Sequence, residues 1–228
     1  MGKIEKLFIF NGSGMLIDST LSGFALLADS IGKKEAMLKH QAHYYKIRTK
    51  GPWGSEEFAT MFKGASQETL MKNAREIVKK NLMKGAEQLV KILKEKNYFV
   101  AFYSTDPLEI ALALQEELNL DDAFGTVFEY KERIATGKLK IKFDRYDRAE
   151  KIKKLVEENK LTRDKVYIIG DSVTALPSKP YGKLIAFNTK YEQLKKEADF
   201  IISEKELSGI SKIIPLLLMI LCSSSLKF

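Results

Sequence analysis

The stretch LFIFNGSGMLID, Leu7 to Asp18, governs how the rest of the chain is read. Four apolar residues, Leu7 to Phe10, run into Asn11-Gly12-Ser13-Gly14. Asn-Gly between two apolar runs is a strong signal for a tight hairpin turn. The same break also fits a buried strand whose carboxyl end opens into a glycine-rich turn, where ligands bind in open α/β sheets. The pattern of apolar runs in the rest of the chain decides between the two.

Short apolar runs recur at YFVAFYS (98–104), GTVFEY (125–130), KVYIIG (165–170), KLIAF (183–187) and DFIIS (199–203), with helical patterns between them. GAEQLVKILKEKN carries Leu89, Val90, Ile92 and Leu93, LEIALALQEELNL opens after Asp106-Pro107, and RAEKIKKLVEEN carries Ile152, Leu155 and Val156 on one face. Continuous apolar strands alternating with helices indicate a doubly wound, Rossmann-like parallel sheet of α/β class. Residues 18–82 carry no convincing strand and read as several helices broken at Gly32, at GPWG (51–54) and at Gly64. That stretch is too long for a simple crossover. The expected division is an α/β core of 1–17 and 83–214, an inserted α-helical cap of 18–82, and an apolar tail of 215–228.

Composition narrows the function classes. The chain has 228 residues, 45% hydrophobic and 30% charged, with a single cysteine, Cys222, which excludes an internal disulfide framework and fits a cytoplasmic setting. A net charge of +8 invites a nucleic-acid reading. The lysines, however, are interleaved with glutamates, the pattern of a solvated helix face, so no nucleic-acid partner is expected. The run IIPLLLMILC (213–222) is broken by Pro215 and about half the length of a bilayer span. No membrane span is expected, and a homodimer through this tail is one use for it.

FIFNGSGML, VAFYSTDP, DRAEKIKKLVEEN and YIIGDSVTALP, in this order, resemble the four motif regions of the haloacid dehalogenase superfamily of phosphohydrolases. KGAEQLVKILKEKNYFVAFYS, FEYKERIATGKLK, KLIAFN and EADFIISEKEL resemble its phosphoserine-phosphatase-like branch in particular. The resemblance implies a parallel sheet with a helical cap after the first strand. An active member resembles DxDGT at that strand, where the first Asp attacks phosphorus and the second acts as acid and base; here Asn11, Ser13 and Met15 stand in those places. The motif-two hydroxyl matches Ser104. The motif-three lysine falls on Arg148, with Lys140, Lys142 and Lys151 as alternatives. GDxxxD reads GDSVTA, which keeps Asp171 and puts Ala175 at the second acid. The positions that grip phosphoserine in the branch fall on Ser19 or Thr20, and on Phe58.

These changes alter the chemistry. An amide is neutral, with its nitrogen lone pair delocalised, so Asn11 cannot serve as the anionic nucleophile. A serine hydroxyl is too weakly acidic to shuttle a proton near neutral pH, which removes Ser13 as acid and base. Magnesium prefers charged oxygens, and only Asp171 of the four matched acidic positions remains. The expectation is a catalytically degenerate phosphatase-like protein that binds a phosphorylated small molecule or protein partner without hydrolysing it. Phosphate contacts would come from Asn11, Gly12, Ser104, Thr105 and Arg148, with Asp171 as a weak or absent metal position. No cofactor is expected, or Mg2+ if the protein is active. The alternative is an active magnesium-dependent phosphomonoester hydrolase with an unusual nucleophile, for which Asp18, Asp106 and Asp171 are the available carboxylates.

Simpler structural roles compete with each of these. Asp171 could cap a following helix, Ser104 and Thr105 could start one, and Arg148 could lie on a helix surface. His40 and His43 lack acidic or cysteine partners at ligand spacing, and Trp53 beside Tyr44, Tyr45 and Phe58 reads as core of the helical segment.

Overall fold

The computed structural model describes residues 4–47, 54–207 and 210. The apolar run after Pro215 and the ring of Trp53 lie outside these residues, as do the side chains of Ser13, Tyr44 and Tyr45. The first strand, β1 (Leu7–Asn11), is followed by four helices, α1 (Gly23–Asp29), α2 (Lys34–Ile47), α3 (Ser55–Thr60) and α4 (Gln67–Asn81). Then come α5 (Ala86–Glu95), β2 (Phe99–Pro107), α6 (Leu108–Leu118), β3 (Asp122–Lys131), β4 (Ile134–Ile141) and α7 (Arg145–Glu158). The chain continues through β5 (Val166–Gly170), β6 (Lys183–Phe187), α8 (Glu192–Glu197) and β7 (Phe200–Ile202).

The strands form one sheet in the order β4-β3-β2-β1-β5-β6-β7. Every neighbouring pair is parallel except β3–β4, which is antiparallel. β1 therefore sits in the middle, paired on both sides, and no hairpin forms at Asn11-Gly12. Its alternating side chains explain why all five of its residues are buried. Phe8 and Phe10 face one layer and Leu7 and Ile9 the other. Each such side chain contributes about 1.5–3 kcal/mol through removal from water.

The antiparallel edge departs from the all-parallel expectation. IATGKLKI alternates weakly, its exposed Ile134 and Ile141 blur the pattern, and Gly137 at φ 85° bends it. An edge strand held from one side needs little burial, so its sequence carries little signal.

The helices between Gly23 and Asn81 share the hydrophobic cluster of one sheet face. Phe24, Leu27, Phe58, Phe62, Leu70 and Val78 belong to the same cluster as Phe8 and Phe10. The Phe62 ring lies 4.7 Å from that of Phe128 on β3. An isolated bridge between Ile17 and Leu82 joins the entry and exit of this segment, and a second, Ser66–Ile134, ties its middle to β4.

Candidate functional site

Strand order reverses at β1, where β2 leaves on one side and β5 on the other, and a crevice opens at such a point. Asn11 is paired with Tyr103 of β2 and with Gly170 of β5. The Ser104-Thr105-Asp106 and Asp171-Ser172 segments therefore flank the Asn11-Gly12 turn. Gly12 has φ +106°, a conformation that a residue with a side chain adopts only under strain, and its carbonyl accepts the N–H of Met15 at 3.2 Å. A cavity of about 480 Å³ lies over these ends, bounded on the helical side by Ser19, Ser22, Gln41 and Phe58.

Gly12, Ser104, Thr105, Arg148 and Asp171 line this cavity together. Asn11 and Ala175 are not among its lining residues. They are packed beneath it, 1% and 0% exposed. A side-chain carbon at Gly170 would lie 2.7 Å from Ala175 Cβ and 3.4 Å from Asn11 Nδ2, so that glycine makes room for both. Neither Oδ1 nor Nδ2 of Asn11 has a hydrogen-bond partner among the described residues. Leaving such a buried group unsatisfied costs about 1–3 kcal/mol.

Arg148 is 1% exposed and donates from its guanidinium to the carbonyl of Thr174, while its Nε finds no partner among the described residues. Its surface-helix reading is thereby excluded. Burial pulls its pKa down to about 10, Arg145 adds to that, and Asp171, Asp106 and Asp144 oppose it. It stays cationic at neutral pH. The alternative lysines lie elsewhere: Lys142 pairs with Glu56 at 2.8 Å, Lys151 pairs with Asp122 at 3.1 Å, and neither they nor Lys140 line the cavity. Burial raises the Asp171 carboxyl above its ordinary value, its own backbone hydrogen bond works against that, Asp106 reinforces it and Arg148 counters it. A 3-10 segment with Ser172 at its start, not an α-helix, comes after Asp171.

Ser104 and Asp106 form a unit. Ser104 Oγ donates to Asp106 Oδ2 at 2.8 Å and accepts from the Asp106 N–H at 3.1 Å. Asp106 Oδ1 accepts the N–H of Phe24 at 3.3 Å, so this carboxylate serves the start of α1, 82 residues away. It does not start α6, whose N-cap is Pro107 without a side-chain cap. The sequence sets Asp106 at the polar end of the second strand, among the available carboxylates, and it lies in the cavity wall. Asp144, Lys190 and Gln41 were missed altogether. The end of β6, at Asn188, carried a usable signal for Lys190, because every strand end of such a sheet borders the crevice. Three carboxylates, Asp106, Asp144 and Asp171, thus face two cations, Arg148 and Lys190, a more acidic wall than Asp171 and Arg148 alone would give.

Comparison with known proteins places these features among relatives. The profile of the haloacid dehalogenase-like hydrolases matches residues 15–177. The chain is 29% identical over 214 residues to the phosphoserine phosphatase of Archaeoglobus fulgidus, covering 93% of this chain and 60% of that protein. It therefore spans about 60% of the length of the curated relative it matches. A phospho-aspartyl intermediate analogue of phosphoserine phosphatase superposes with a TM-score of 0.77 at 24% identity, covering 92% of this chain and 99% of that one. A substrate-bound phosphoserine phosphatase complex superposes with a TM-score of 0.74 at 25% identity, covering 92% and 98%.

Proposed function

The chain belongs to the haloacid dehalogenase-like hydrolase family, in its phosphoserine-phosphatase-like branch, and from that premise we propose that it binds a phosphorylated ligand in the strand-end cavity without hydrolysing it. The observation that carries this reading is Asn11, a neutral amide packed beneath the cavity at the end of the central strand. An amide there offers phosphorus no anionic oxygen. Arg148, held in place by burial and by Thr174, supplies a fixed cation, and the N–H groups of the Gly12 turn supply further donors for a phosphate. Ser104 would join them by redirecting its hydroxyl from Asp106. The helices of 18–82 serve as the cap over this site.

Phosphatases of this family generally use Mg2+, so family membership gives no ground for expecting none. The donors here fit that ion poorly. Both oxygens of Asp106 already accept hydrogen bonds, Arg148 competes for Asp171, and the described residues hold no group of three His, Cys, Asp or Glu arranged for a metal. The second reading, a hydrolase with an unusual nucleophile, has Asp106 and Asp171 in the cavity wall in its favour.

The deciding experiment is an assay of the purified chain with p-nitrophenyl phosphate and magnesium, beside calorimetric titration with inorganic phosphate. Phosphate binding without turnover is expected. Turnover that disappears in Asp106→Asn or Asp171→Asn overturns the silent reading in favour of the hydrolase.

A further inference from the structure

Resting on the phosphate-binding reading, we infer that Thr126 of β3 is the positioning residue for the phosphate site, holding both the Ser104-Thr105 end of β2 and the start of α7, which carries Arg148. Thr126 is 0% exposed and is not among the residues that line the cavity. It acts through its neighbours.

β2 and β3 pair in step up to Tyr103–Phe124 and next at Pro107–Thr126, so β2 uses two more residues than β3 over this interval. The surplus falls within Ser104-Thr105-Asp106, and residues pushed out of a ladder leave backbone groups that need new partners. Thr126 meets one of them: its hydroxyl donates to the Thr105 carbonyl at 2.8 Å. Gly125 makes the room, since a side-chain carbon there would stand 2.6 Å from the Asp106 carbonyl oxygen and 3.1 Å from the Leu108 nitrogen. Gly125-Thr126 is thus the mould for the bulge from which Ser104 and Thr105 line the cavity.

The same hydroxyl lies 3.4 Å from the Phe143 carbonyl, the weaker arm of a shared proton. Phe143 comes directly before Asp144, the N-cap of α7, whose carbonyl accepts the Arg148 N–H at 3.0 Å. One buried side chain therefore links the two elements that supply Ser104 and Arg148. Both of its acceptors are backbone carbonyls, so a bound phosphate does not compete for its proton. Threonine suits the place because branching at Cβ restricts the side-chain torsion and aims the hydroxyl.

The test is calorimetric titration of the full chain with inorganic phosphate, beside urea unfolding. Thr126→Val keeps the shape and removes the donor, and should bind phosphate on the order of tenfold more weakly. Thr126→Ser keeps the donor and should bind within about twofold of the native chain. Val90→Ala, at a buried α5 position outside the cavity wall, should lower stability and leave phosphate affinity unchanged. If Thr126→Val binds as tightly as the native chain, or if Thr126→Ser or Val90→Ala weakens binding as much as Thr126→Val, the inference falls while phosphate binding stands. If the native chain binds no phosphate, the phosphate-binding reading falls and takes the inference with it.

Discussion

Gly14 lies directly against the carboxylate of Asp171: a side-chain carbon built on Gly14 would stand 3.3 Å from Asp171 Cγ and well inside contact with Oδ2. The turn after β1 is therefore glycine-rich for a steric reason as well as for the φ of Gly12. Gly14→Ala should push the carboxylate aside at a cost of about 1 kcal/mol, the low end for overpacking because the carboxylate can swing toward the cavity. Urea unfolding of Gly14→Ala, Asp171→Ala and the double variant checks this. The alanine at 14 should cost much less once the carboxylate is gone. Equal costs in both backgrounds would show that the two residues do not meet.

Asp171 should be a net burden on the fold at neutral pH. Its folded pKa lies above the unfolded 3.8 because burial outweighs Arg148, so the stability it allows is complete below that value and is lost as pH rises through the folded pKa. Asp171→Asn should therefore raise the melting temperature at pH 7 and lose that advantage as the pH falls toward 4. A variant less stable than the native chain at pH 7 would mean that the pairing with Arg148 outweighs burial.

Much of this arrangement was legible in the sequence. LFIF, YFVAFYS, KVYIIG and KLIAF are continuous apolar runs because strands buried on both faces leave no polar positions, and they mark β1, β2, β5 and β6 within a few residues. Helix starts were less legible. α7 begins three residues before RAEKIKK, because Asp144 and Asp147 build a capping box that periodicity does not register. At the site, Ser104, Arg148 and Asp171 were found through the resemblance of their motifs. Asp106 was legible as a polar residue at the end of the second strand, whereas Gln41 enters the wall through contacts across the fold and nothing local to HQAHY announces it.

A carboxylate at position 11 should change what the site tolerates. Asn11→Asp places a charge in a position that is 1% exposed, at the same end of the sheet as Asp106 and Asp171. Desolvation and repulsion should cost about 2–4 kcal/mol at pH 7. The loss should shrink as acid protonates the new group. Millimolar magnesium should raise the melting temperature of this variant and leave the native chain unchanged, because a further carboxylate near Asp171 improves the donor set. An equal magnesium shift in the native protein would contradict the poor fit of its donors to that ion.

The Asn11-Gly12 pair should also be chemically protected by the fold. Deamidation requires the Gly12 nitrogen to attack the Asn11 side-chain carbonyl, closing a succinimide with loss of ammonia, after which water opens the ring to aspartate or isoaspartate. Asn11 is held at the end of a strand paired on both sides, and its side chain is shielded from solvent. Closing the ring demands a backbone swing that breaks this pairing, so reaction requires local opening of the central strand, among the last elements to open. Incubation at mildly alkaline pH followed by intact-mass measurement and peptide mapping should show Asn11 retained in the native chain and converted in urea. Conversion at the same rate in both states would mean that β1 frays at Asn11, and the packed amide on which the silent site rests would be lost with it.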